Sequence, residues 1–284
     1  MSEVNLYAIG SSVNNDRNPI YETNSHPEFP YQLAKFKSKL IQLVKENQSK
    51  TFYKFGDGDY YFLRGEGVGS ATPGRRALSK NYSDIKHEEF VSGVPLNDYI
   101  GVETYNTQLF SSLYPDRPVD YYAEYGYGLT ANKWLTNTFG DSIGVIGAGP
   151  KIKLIQQLMQ SEEYQEYLGL EKFTDYIEIP QKFACDDIDE TERMVGEQLS
   201  NSSSKIFLLG IGHVKSALLH RLKKYRNAVF LDVGSGIDAL AGIIDHNRPY
   251  MANWTNYRTT NFDYGSLDIL QYDIWNTPHT MLKD

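Results

Sequence analysis

Three stretches in the second half of the chain share one layout: a short apolar run, a glycine turn, and then a segment with helical spacing. They are SIGVIGAGPKIKLIQQLMQ at 142–160, SSSKIFLLGIGHVKSALLHRLKKY at 202–225 and NAVFLDVGSGIDALAGIID at 227–245. Such short apolar runs bounded by glycine read as strands buried on both faces. Strands that alternate with helices pair in parallel, because each helix carries the chain back to the edge where the previous strand began. The fold class predicted is α/β, with a mainly parallel, Rossmann-like sheet flanked by helices. Ligands of such sheets gather at the carboxyl ends of the strands, so the turns at 147–150, 210–213 and 232–238 should lie along one edge.

The first half adds to this frame. Leu33, Phe36, Leu40, Leu43 and Val44 recur at helical spacing and predict a helix from Tyr31 to Asn47. TFYKF at 51–55 reads as a strand that runs into an FGDGD corner at 55–59, and YIGVET at 99–104 reads as another strand. Between them SDIKHEEFVSGV predicts a helix capped at Ser83. RGEGVGSATPGRR at 64–76 is a glycine-rich loop. It ends in Arg75 and Arg76, which either grip phosphates or carry solvated surface charge. Residues 1–30 form a loop-rich lead-in and the tail from 246 is irregular, so a single domain over 1–284 is expected.

Composition narrows the partners. A chain of 284 residues with a net charge of −8 lacks the basic face that binds nucleic acid. No apolar run approaches the roughly 18–20 residues of a membrane span, and the first residues lack the layout of a signal peptide, so a soluble cytoplasmic protein is expected. The lone Cys185 forms no internal disulfide and offers no metal cluster. The 22 tyrosines supply amphipathic ring faces, which suit either sugar recognition or a half-buried core. DYYAEYGYGL at 120–129 is the densest such patch and a candidate acceptor platform.

The corner holds the most specific chemistry. Asp57 and Asp59, flanked by Gly56 and Gly58, can converge on a hard divalent cation, Mg²⁺ or Mn²⁺, that completes its shell with a diphosphate. A plain Asp-Gly turn is the alternative. An EF-hand is excluded, because Tyr61, Phe62 and Val68 stand where its ligands and turn glycine belong. The turns carrying Gly147 and Gly149, and Gly210, Gly212 and His213, each follow a strand and open a helix, a geometry that offers N–H groups to an anion. Ile152 and Lys215 occupy the place of the third glycine of a dinucleotide fingerprint in the two turns. VGSGIDALAG, with Gly234, does complete G-x-G-x-x-A and is similar to the first motif of S-adenosylmethionine methyltransferases. Few strand–helix units remain downstream of it, which leaves a methyltransferase or nucleoside-binding enzyme using VGSGID as the runner-up. Asp232 and Asp238 at this last strand end serve either as helix caps or in chemistry.

KFGDGDYYFLRGEG resembles the RFGDGE-type segment of the GT-D glycosyltransferases, a bacterial family first catalogued as a domain of unknown function. LLGIGHVKSALLHRLKKYRNAVFLDVGSGID is similar to that family's closing block, and GVIGAGP lies between the two in the same order. The resemblance implies a metal-dependent transfer of a sugar from a nucleotide-diphosphate donor, UDP-linked in our reading, to a glycan or glycoconjugate acceptor. Asp57 takes the place of the first carboxylate of the family's DxE motif, Asp59 replaces its Glu, and Lys54 stands where Arg is usual. Phe55, Gly56 and Gly58 fall in the nucleotide-binding segment. Gly210 matches the turn of the closing block, Gly234 and Asp238 match its glycine and aspartate, and Ser235 replaces its histidine. Asp57 and Asp59 would hold the cation, and Asp238 would deprotonate the acceptor in an inverting reaction. A carbohydrate-binding protein without chemistry is a third possibility.

Overall fold

A computed structural model describes residues 28–64, 87–131, 133–180 and 184–242. The predicted alternation is realised in seven strands. These are β1 (Lys50–Phe55), β2 (Tyr99–Val102), β3 (Tyr121–Tyr122), β4 (Ile143–Ala148), β5 (Asp175–Ile179), β6 (Ile206–Gly210) and β7 (Val229–Asp232). All pair in parallel, in the order β3-β2-β1-β7-β6-β4-β5. Every residue of β4 and β7 is buried, as near-continuous apolar strands require when helices cover both faces.

Two cores lie on opposite sides of this sheet. On one face α1 (Phe29–Lys45) presents Phe36, Leu40 and Leu43 to Phe52, Tyr121 and Leu231. The other face is lined by Phe55, Phe207 and Phe230, packed with Phe62 of α2 (Asp57–Leu63), Phe90 of α3 (His87–Gly93) and Phe110 of α4 (Thr107–Leu113). The first face also receives α5 (Glu124–Ala131), α6 (Trp134–Phe139), α7 (Gly149–Leu158) and α8 (Glu162–Leu168). α9 (Ile188–Ser200) and α10 (Lys215–Leu218) pack on the second, and α11 (Gly236–Leu240) returns to the first. Tyr53, Phe55 and Phe62 are each fully buried, at 0% exposure, and contribute roughly 1.5–3 kcal/mol apiece.

The chain leaves β1 toward the second face, through α2, and leaves β7 toward the first, through α11. Adjacent strands whose connections part in this way open a crevice at their carboxyl ends, the switch point at which open α/β sheets bind ligands. The register keeps these ends level: Phe55 pairs with Val102, Leu209 with Asp232, and Gly147 with Gly210. The three predicted glycine turns therefore do share one edge.

Several local expectations differ from the structure. FGDGD is no open turn, because α2 begins at Asp57. In GAGP, Gly147 and Ala148 finish β4, and α7 starts at Gly149. The middle of the aromatic patch contributes β3 and the start of α5 rather than a surface platform: Tyr121 and Tyr125 are buried, Tyr121 stacked on Phe36 and Tyr125 tilted against it. The Ser83 cap, the Arg75–Arg76 loop, residues 1–27 and the tail from 243 lie outside the described residues. No described helix is long and apolar enough to cross a membrane.

Candidate functional site

The crevice between β1 and β7 is lined by charge. Lys54 lies on β1 one residue before its end, and its Nζ meets Glu103 Oε1, just past β2, at 2.7 Å. Lys215, the first residue of α10, reaches the same place from β6. Its Nζ donates to the Lys54 carbonyl and to Asp232 Oδ2 at 2.7 Å, and it lies 3.3 Å from Asp59 Oδ2. The ammonium also sits 4.6 Å from the centre of the Tyr53 ring. Asp232 is saturated: Oδ2 additionally accepts the Lys54 N–H at 3.3 Å, and Oδ1 accepts the Gly234 N–H at 2.9 Å. These bonds tie the ends of β1, β6 and β7 together.

Asp59 is built into the same network. As the third residue of α2 it accepts the Gly56 N–H at 2.8 Å, the backbone half of a capping box, and its Oδ1 accepts the Tyr53 hydroxyl at 3.1 Å. Tyr53 is linked in turn to Ser216 Oγ at 2.9 Å. His213 stacks flat on Phe62, with ring centroids 4.5 Å apart, and turns Nδ1 toward Asp59 at 3.9 Å. Burial raises the Asp59 pKa, but the charge of Lys215, with His213 and Lys54, outweighs it and holds the carboxyl well below its ordinary value. Burial likewise lowers the Lys54 pKa, and the charges of Glu103 and Asp59 more than reverse this. Both groups stay ionised at neutral pH.

This arrangement bears on the expected cation clamp. Both oxygens of Asp59 already accept from the chain's own N–H, O–H and ammonium groups, so Asp59 does not fit the role of a free metal ligand here. Asp57 is the first residue of α2, at the carboxyl end of β1. Among the described residues, no three His, Cys, Asp or Glu side chains gather as a metal centre.

The other expected residues fall into two groups. Gly56 and Gly234 border the Lys54 side chain: a Cβ on Gly56 would stand 3.2 Å from Glu103 Oε2 and 3.3 Å from Lys54 Nζ, and one on Gly234 would stand 3.3 Å from Lys54 Cδ. Gly234 has φ +52, a left-handed conformation that glycine adopts without strain. Gly58 faces His213, and Phe55 is buried beneath the corner. Farther along the edge, Gly147 and Gly210 face each other under Ile237, whose Cβ would lie 2.7 Å from a Cβ on Gly210. Their role is close packing rather than an open cradle. Gly149 has the Glu178 carboxylate against it, whereas Gly212 borders open space at φ +61. Asp238 is buried and paired with Lys151, near the start of α7.

Sequence reasoning did not assign roles to Lys215, Glu103, Lys151 or Glu124. Lys215 had entered only as the residue that spoils a glycine fingerprint. Glu124, at the head of α5, is 2% exposed, and its Oε1 accepts the Thr104 N–H at 2.7 Å. Burial, reinforced by the charge of Glu103, pushes its pKa up to about 7.

No family model matches the chain, and no curated protein matches it. Two solved structures are similar to the chain. One is a selenomethionine-substituted domain of unknown function 1792, 13% identical over 80% of this chain and 86% of that one, with a TM-score of 0.49. The other is a glycosyltransferase (DUF1792) from Streptococcus sanguinis, 10% identical over 87% of this chain and 92% of its own, with a TM-score of 0.50. At such identity the likeness is one of fold, and the fold is the one implied by the GT-D resemblance. The chain has the parallel α/β architecture of the Streptococcus sanguinis glycosyltransferase.

Proposed function

We propose that the protein is a glycosyltransferase that takes a sugar from a nucleotide-diphosphate donor, UDP-linked in our reading, and passes it to a glycan or glycoconjugate acceptor. The observation that carries this reading is the crevice between β1 and β7, where the ammonium groups of Lys54 and Lys215 meet the switch point of a sheet shaped like a known glycosyltransferase. When the sugar C1–O bond breaks, negative charge develops on the departing diphosphate, and an ammonium turned toward it lowers the barrier. Lys215 holds Asp59 and Asp232 in place and thereby fixes the floor of the crevice.

A divalent cation, Mn²⁺ or Mg²⁺, belongs to this reading through Asp57, since Asp59 is engaged elsewhere; bound there, it would add counter-charge to the leaving group. Asp238, expected as acceptor base, is paired with the Lys151 ammonium and would have to part from it to reach an acceptor hydroxyl. The turn behind the methyltransferase alternative is filled from within, with Gly234 against Lys54, Ile237 over Gly210, and Asp232 saturated.

The test is a panel of nucleotide sugars assayed for nucleoside diphosphate release, with and without EDTA, on wild type and Asp57→Asn. Release from one donor by wild type, lost with EDTA and in the variant, is the expected result. Absence of release from every donor, together with a melting-point rise from S-adenosylmethionine, would replace this reading with the methyltransferase one.

A further inference from the structure

We infer that Lys54 is a latched anion anchor: at rest its ammonium is neutralised by Glu103, and the diphosphate of the ligand takes over that pairing. The inference rests on the nucleotide-diphosphate reading for the identity of the ligand, and on the geometry around Lys54 for the site. Lys54 arises from a strand in the middle of the sheet, with Phe55 fully buried after it and Tyr53 fully buried before it. A lysine in such a position is costly, because its charge must leave water unless the stem can carry it to an edge. The two flanking turns provide that passage. Gly56 and Gly234 lack the side chains that would crowd the Lys54 stem, and the side chain ends 13% exposed at the carboxyl edge.

Stability alone does not account for this pair. A buried ion pair gains little over apolar residues of the same volume, because desolvation offsets the attraction. The neighbouring lysine shows what a structural role looks like here. Lys215 is spread over the Lys54 carbonyl, Asp232 and Asp59, and its removal would leave two buried carboxylates without their cation. Lys54 instead faces Glu103, a carboxylate that also accepts Asn106 Nδ2 at 2.8 Å and so keeps a partner when the lysine turns away. A lysine ammonium is a compact point charge with rotatable donors, suited to exchanging a carboxylate for phosphate oxygens.

The experiment measures binding of inorganic pyrophosphate and of UDP by isothermal titration calorimetry, in EDTA and again in Mg²⁺. The proteins are wild type, Lys54→Met, Lys54→Arg and Glu103→Gln. Lys54→Met is expected to weaken pyrophosphate binding roughly ten- to a hundredfold, with Lys54→Arg close to wild type. Glu103→Gln is expected to tighten it several-fold, because the carboxylate that acts most strongly on the lysine is then neutral. Opposite signs for Lys54→Met and Glu103→Gln are the signature, since a purely structural pair would lose binding in both. Equal affinity of Lys54→Met and wild type in both buffers, no pyrophosphate binding by wild type in either, or a matching loss in Glu103→Gln would overturn the inference. Lys54-dependent pyrophosphate binding without turnover of any nucleotide sugar would leave the anchor standing and remove the glycosyltransferase reading.

Discussion

The carboxyl edge of the sheet has two halves that look alike in sequence and differ in structure. At β4 and β6 the glycines Gly147 and Gly210 are pressed under Ile237, and the space they free is filled by its hydrocarbon and by the Gly234 carbonyl. At β1 and β7 the glycines Gly56 and Gly234 border a lysine stem, and the space is filled by charge. A glycine after a strand therefore signals close approach, and what approaches decides whether the turn serves packing or binding. The difference comes from residues distant in sequence, Lys54, Glu103, Lys215 and Asp232, which meet only once the sheet is assembled.

The largest effect that would break this contrast is expected at Lys215. Lys215→Met leaves Asp59 and Asp232 buried beside each other without their shared cation, at a cost of about 3–5 kcal/mol in urea unfolding. A loss below about 1 kcal/mol would mean that the crevice is not held by this ammonium.

Next comes Glu124. A carboxyl whose folded pKa is raised from its ordinary 4.5 to about 7 binds a proton in the folded state that the unfolded chain has already lost. Its contribution is fully present below the unfolded value and disappears as pH rises through 7, a loss on the order of 3 kcal/mol. Glu124→Gln keeps an acceptor for the Thr104 N–H and removes the ionisation. The variant should gain stability over wild type between pH 5 and pH 8 in thermal melts, and parallel profiles would show that Glu124 titrates normally.

The smallest of the three sharpens the other half of the edge. Gly147→Ala presses a methyl against Ile237 Cγ2 at 3.1 Å and Ile152 Cδ1 at 3.4 Å, at a cost of about 1 kcal/mol. Pyrophosphate affinity, measured as above, should be unchanged in the folded variant. A change in affinity comparable to that of Lys54→Met would place the anion at the β4 turn instead.

Much of the frame was legible from the chain alone. β4, β6 and β7 announce themselves as apolar runs between glycines, and the stripe from Leu33 to Val44 foretells α1 within two residues. Other elements left little trace. β3 is two residues long, too short for any period, and its tyrosines read equally well as a surface patch. At the corner, Gly56 and Asp59 have the three-residue offset of a capping box, a signal present in the sequence but masked by the more obvious pairing of Asp59 with Asp57. The lysine–carboxylate network was illegible for a simpler reason: Lys54 lies on β1 and Glu103 just past β2, and no local pattern links them.

The central claim is that anionic ligand chemistry belongs to the β1–β7 half of the edge and not to the β4–β6 half. The most direct measurement is a crystal structure of the protein soaked with UDP. The account predicts diphosphate density within hydrogen-bond distance of Lys54 Nζ, between the Gly56 and Gly234 turns, with Glu103 released from the lysine. Density at Gly149 and Lys151, with the Lys54–Glu103 pair intact, would contradict it.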